Sequence, residues 1–183
     1  MPASIAKNAQ EGTRSEYLAQ YALSCFGTAV PVPHPEDSGI DLYCTLGHRL
    51  GCRFLVENQY LVQVKSTNDP ICYSGKDEVK WLLSHKYPFL ICVVAKKSAK
   101  IEIYQTMALS TLSAKESVKN INLYPEVCSS GKYFPQDIDK ESIDIYLGEP
   151  IVRFAVTDLS EKTFIEDITT TLRSWQGCSM LLN

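Results

Sequence analysis

The stretch Tyr60-Leu61-Val62-Gln63-Val64-Lys65-Ser66 decides how this chain is read. Its apolar, β-branched character makes it a strand, and the two-residue period puts Gln63 and Lys65 on one face while Val62 and Val64 point to the other. A buried strand that presents an amide and an ammonium side by side needs a partner or a use for both, because burying either unpaired costs on the order of several kcal/mol. That polar face is a candidate site.

Upstream, residues 9–26 have a helical pattern, with Gly27 placed to stop the helix as a C-cap. Leu18, Tyr21, Ala22 and Cys25 make one apolar stripe, and Gly12, Glu16, Ala19 and Leu23 make a second of small residues. Glu16 is the only acid on that second stripe, so a sheet packed there would receive its carboxylate. Val30-Pro31-Val32-Pro33-His34-Pro35 is too rich in proline for a central strand and reads as an edge. Glu36-Asp37-Ser38-Gly39 is turn chemistry, and Ile40-Asp41-Leu42-Tyr43-Cys44-Thr45 reads as a strand. Gly47 to Gly51 is expected to turn the chain, and residues 52–56 to form another strand ahead of the opening stretch.

Downstream, residues 76–86 read as a helix with Val79, Leu82 and Leu83 inward. Residues 88–95 are a buried strand and 100–106 a further one. Residues 107–119 are expected to be helical and 120–142, rich in Pro, Gly, Ser and Asp, to be loop. Residues 143–147 and 151–156 suggest a hairpin around Gly148-Glu149-Pro150, and Asp158 with Glu161 a capping box before a last helix.

Composition bounds the function. The 183 residues suffice for one domain with its own core, and 45% hydrophobic with 21% charged residues is ordinary for a globular chain. The net charge of −3 argues against a basic nucleic-acid coat, although residues 1–100 sum to +2 and the remainder to −5, so an anionic ligand meets the first half more naturally. Seven cysteines, an odd number without a C-x-x-C pair, fit reduced thiols better than a disulfide framework. With no signal-like leader and no apolar run long enough to span a bilayer, the expectation is a cytoplasmic protein with no membrane partner. Cys44, His48 and Cys52 share a spacing of four, but a zinc site would lack its fourth ligand there. Lys76, Lys80, Lys86, Lys96, Lys97 and Lys100 could line a nucleic-acid path or simply be a solvated face.

Asp41 on one strand and Gln63-x-Lys65 on a later one come within reach if the strands pair. A carboxylate and a second oxygen ligand are what Mg²⁺ needs from a protein, and a lysine beside it can orient the attacking water. Gly39-Ile40-Asp41, then Gln63-Val64-Lys65, with Glu16 on a preceding helix, resembles the PD-(D/E)XK restriction-endonuclease-like superfamily, in particular its Mrr-like branch with Q-x-K for E-x-K. The same residues resemble a bacterial domain-of-unknown-function family found among phage-defence genes. The resemblance implies an α/β fold with an αβββαβ core, a central mixed sheet flanked by helices, over residues 1–106. Residues 107–183 would be C-terminal helices and a hairpin packed on that core within a single domain. It also implies a metal-dependent nuclease, acting on DNA in defence or restriction, with Mg²⁺ or Mn²⁺ as cofactor. Asp41 and Gln63 would hold the metal, Glu16 would complete its shell through a water, Lys65 would be the catalytic cation, and Asp37 matches a second acid. Gln63 removes one negative charge from that site, which keeps open an inactive module of the same fold that binds nucleic acid or a partner protein. A homo-oligomer or a defence-system partner is a further expectation.

Overall fold

The computed structural model describes residues 7–33, 39–112, 117–129 and 141–180; His34 and Asp37 lie outside them. Helix α1 (Lys7–Ser24) lays Ser15, Ala19, Ala22 and Leu23 against a sheet with Leu18 and Cys25 packed at the margin, so both stripes contribute to the contact and only Tyr21 of the first is exposed. Alanines at the contact let the helix come close to the strands. Gly27 is not a left-handed cap. It opens strand β1 (Gly27–Pro31), and a Cβ there would stand 1.8 Å from the Thr45 carbonyl oxygen, so glycine serves close strand approach.

Strand β1 pairs antiparallel with β2 (Leu42–Leu50), and β2 with β3 (Arg53–Lys65). The expected turn over Gly47 to Gly51 is narrower than read: β2 runs through Gly47 and turns only at Gly51, whose φ of 61° supplies the reversal. Gly47 instead leaves room for Phe54, whose Cζ would be 2.4 Å from a Cβ at that position. After strand β4 (Ile71–Ser74) and helix α2 (Lys76–Leu83), strand β5 (Phe89–Ala95) lies parallel to β3. Six consecutive buried residues in β5 account for its continuous apolar run. Strand β6 (Lys100–Gln105) follows antiparallel.

The C-terminal third departs from the expected elements. Residues Met107–Leu112 form a 3-10 helix, and Asn120–Tyr124, read as loop, is strand β7. Strands β8 (Ser142–Tyr146) and β9 (Val152–Ala155) are not a hairpin. β8 joins β4 and β7 in a three-stranded sheet, whereas β9 pairs with β6 at the edge of a six-stranded mixed sheet of order β1-β2-β3-β5-β6-β9. The reason lies in the connection: Leu147 N–H donates to Tyr124 O and Ile151 N–H to Ile103 O, so the two ends are claimed by different sheets. Asp158 accepts the Ala155 N–H at 2.8 Å and caps a 3-10 turn ahead of helix α3 (Lys162–Met180). The molecule is thus α/β, with helices on a mixed sheet. Among the described residues no helix is long and apolar enough to cross a membrane.

Two cores result. One, between the large sheet and α1 and α3, takes Ala19, Leu23, Leu42, Val62, Val64 and Leu172. The other, between that sheet and the small one, takes Leu61, Tyr73, Val79, Leu82, Ile91 and Ile121. Alternation along β3 therefore sends Gln63 and Lys65 toward the second.

Candidate active site where β2 and β3 part

The β2–β3 ladder is paired as far as Leu42 opposite Val62, and there β2 ends. Just beyond, the Asp41 N–H donates to Val62 O at 3.0 Å, and the Asp41 carboxylate accepts the Val64 N–H at 2.6 Å. The side chain stands where the next main-chain acceptor of β2 would have been. Leaving that N–H unpaired in the interior would cost about 1–3 kcal/mol, so the strand end fixes the carboxylate on β3 between Gln63 and Lys65. One carboxylate oxygen takes this bond; the other is not part of it. Gly39 has a φ of 71°, and a Cβ there would stand 3.1 Å from the Trp81 ring.

Gln63 is buried, and its Oε1 accepts the Tyr73 hydroxyl at 2.7 Å. An amide oxygen has two lone pairs, so one remains. Lys65 is half-buried at the end of β3 and shares with Gln63 a cleft of about 640 Å³. Tyr73, Asp77, Glu78 and Trp81 line the rest of its chemistry-bearing wall. Trp81 stacks on Tyr73 at 6.1 Å and meets His85 edge-on at 4.4 Å. His85 is half-buried, and burial pushes its pKa down.

The electrostatics locate Asp41 at the rim of the sheet. Burial, then the carboxylates of Asp41 and Glu78, push the Tyr73 hydroxyl pKa up, so Tyr73 remains a donor to Gln63. Burial, then Cys44, then Asp41 push up the Cys92 thiol, which lies in the other core. Asp41 is thus felt on both faces. Glu78 uses one oxygen to accept the Ser74 N–H at 2.7 Å.

Of the four residues singled out in the sequence, Asp41, Gln63 and Lys65 gather at one strand end. Glu16 stands half-buried on α1, which covers the Val62 and Val64 face rather than the cleft. The sequence reading missed Tyr73, Asp77, Glu78 and Trp81. The Lys76-Asp77-Glu78 start of α2 was visible, but that segment was read for its inward residues and its lysines, not for its acids. Among the described residues no three His, Cys, Asp or Glu side chains are grouped to hold a metal ion. The donor set nearest to one is a single carboxylate and an amide oxygen, which suits a hard cation that keeps several waters. At the far end of β2, His48 pairs through Nδ1 with Glu57 at 2.7 Å, while Cys44 is buried and Cys52 lies in the exposed turn.

Compared with known proteins, the chain matches no family model, no curated protein and no solved structure.

Proposed function

We propose that this chain is a metal-dependent nuclease of the PD-(D/E)XK type that hydrolyses phosphodiester bonds, with DNA as substrate, in bacterial defence or restriction. The observation that carries the reading is the Asp41 carboxylate bonded to the Val64 N–H, between Gln63 and Lys65. Apart from β4, which joins the small sheet, the order of a helix, a three-stranded meander, a helix and a strand parallel to β3 supports it, since that succession is what the resemblance implies.

A Mg²⁺ or Mn²⁺ ion on Asp41 and Gln63 would supply Lewis-acid polarisation of a phosphate oxygen, with Glu16, on the α1 side of the sheet, left out of its shell. The chain's own residues do the rest. Asp41 keeps a fixed orientation because a main-chain N–H holds it. Tyr73 holds the Gln63 amide with its oxygen toward the hydroxyl, and Lys65 at the cleft mouth orients the attacking water or meets charge developing on phosphorus. Trp81 offers a ring face beside them.

The engaged amide oxygen of Gln63 favours a second reading: a non-catalytic module that binds nucleic acid or a partner protein. Cleavage assays on single- and double-stranded DNA and RNA with Mg²⁺ or Mn²⁺ separate the two. Asp41→Ala should lower a metal-dependent rate by about 10³-fold and Lys65→Ala by about 10²-fold or more, with both variants folded. Metal-independent cleavage, or cleavage that survives Asp41→Ala, would sink the nuclease reading. A wild type that binds DNA without cutting it supports the module.

A further inference from the structure

The outer part of the β2–β3 hairpin is an arm with no strand flanking it among the described residues, tied to α3 through the Glu57–Arg173 pair. β1 pairs with β2 only as far as Leu46, and β5 pairs with β3 only from Leu61. Among the described residues, the ribbon from His48 to Tyr60 therefore has no strand along either outer edge. The true edge strand, β1, is blunted: Gln20 Nε2 donates to its Ala29 carbonyl, and Pro31 has no N–H to offer. The arm carries a bulge at its base and charged residues such as Arg53 and Glu57, yet it also exposes apolar side chains. Leu50 is 63% exposed, Val56 56%, Phe54 45% and Leu55 39%, four large hydrophobic residues within seven positions. A two-stranded ribbon is marginal alone, and an exposed patch of this kind marks an interaction surface.

Beside the arm runs a groove of about 560 Å³, between the arm and α3, whose walls include Phe26, Phe54, Ile165, Glu166, Thr169 and Arg173. Its cations already face acids: Arg173 pairs with Glu57 at 2.9 Å and Lys162 with Glu166 at 3.5 Å. A nucleic-acid strand would find little free positive charge there. An apolar insert flanked by one arginine fits better, and the arm is such an insert, with Arg53 exposed beside Phe54 and Glu166 exposed in the groove.

We propose that this arm is a homodimerisation element, the arm of each copy seating in the groove between arm and α3 of a second copy of this chain. Insert and groove lie on the same surface, which makes the surface self-complementary under a two-fold axis. Leu50, Leu55 and Val56 expose roughly 300 Å² per copy, and with the groove walls they cover two arms would bury about 1,200 Å², the lower end of stable interfaces. Arg53 of one copy displaces Lys162 from Glu166 of the other, an exposed i,i+4 pair at 3.5 Å that is worth little by itself.

Sedimentation velocity of the full chain from about 1 to 100 µM tests the assignment. The expected result is a concentration-dependent species of twice 20.5 kDa. Val56→Lys should weaken it at least tenfold without changing the thermal melt. Arg53→Glu and Glu166→Arg should each weaken it about tenfold, and together restore it to within about threefold. A 20.5 kDa monomer at every concentration overturns the proposal, including one that shifts only when duplex DNA is added. A dimer indifferent to the arm variants, or charge reversals that fail to compensate, overturns it as well.

Discussion

At its inner end the β2–β3 hairpin is enclosed, with Leu42, Tyr60 and Val62 almost fully buried, while from Gly47 outward Leu50, Phe54, Leu55 and Val56 face solvent. The inner end is held by neighbouring strands on both sides and by a side chain, Asp41, that completes the main-chain bonding where β2 stops. The outer end is tied to the body by the bond of Glu57 to Arg173 on α3, while Glu57 also bonds His48 across the arm's own two strands. Chemistry that needs fixed geometry belongs at the first end, and surfaces that exchange partners belong at the second.

Two glycines test this contrast most strongly. A Cβ at Gly27 would meet Thr45 O at 1.8 Å and Leu46 Cα at 2.9 Å, all rigid backbone in the six-stranded sheet. Gly27→Ala should therefore cost about 3 kcal/mol. At Gly47 the nearest atoms belong to the Phe54 side chain, which can swing, with the Leu55 carbonyl oxygen farther off at 2.7 Å, and Gly47→Ala should cost about 1–2 kcal/mol. Urea unfolding gives both numbers. An equal or larger loss for Gly47→Ala would mean that the arm is as rigid as the sheet.

The same contrast explains what could be read in advance. The buried run of β5, the alternation that turns Gln63 and Lys65 to one side, and the edge character of Val30-Pro31 were legible because each is a local pattern. Gly27 and Gly47 were misread because glycine in a sequence says only that a side chain is absent; that another strand or ring fills the space is a tertiary fact. β4, β7 and β8 are four or five residues long, lie among Pro, Asn and Ser, and gain their strand character from one another. Tyr73 belongs to the candidate site only because β4 crosses beneath Gln63, which no spacing along the chain announces.

A smaller effect tests the enclosed end. Tyr73→Phe removes the hydroxyl that Gln63 accepts in the interior and should cost about 1 kcal/mol. Replacing Gln63 by Met as well should recover part of the summed cost, since removing both partners leaves neither polar group stranded. Strictly additive losses in the double variant would show that the two side chains do not act as a pair.

The smallest effect belongs to the arm's tether. The Arg173 guanidinium, aided by His48 and opposed by partial burial, holds the Glu57 carboxyl below its ordinary value of 4.5. A depressed carboxylate contributes stability that is present above its unfolded pKa and is lost as pH falls through its folded one. Glu57→Gln should therefore be slightly less stable than wild type at neutral pH, and the gap should close once the pH falls well below 4.5. Denaturation midpoints of the two proteins at about pH 7 and about pH 3 measure it. If the gap stays constant across that range, the carboxylate's charge is not what ties the arm to α3, and the bond between Glu57 and Arg173 acts through packing alone.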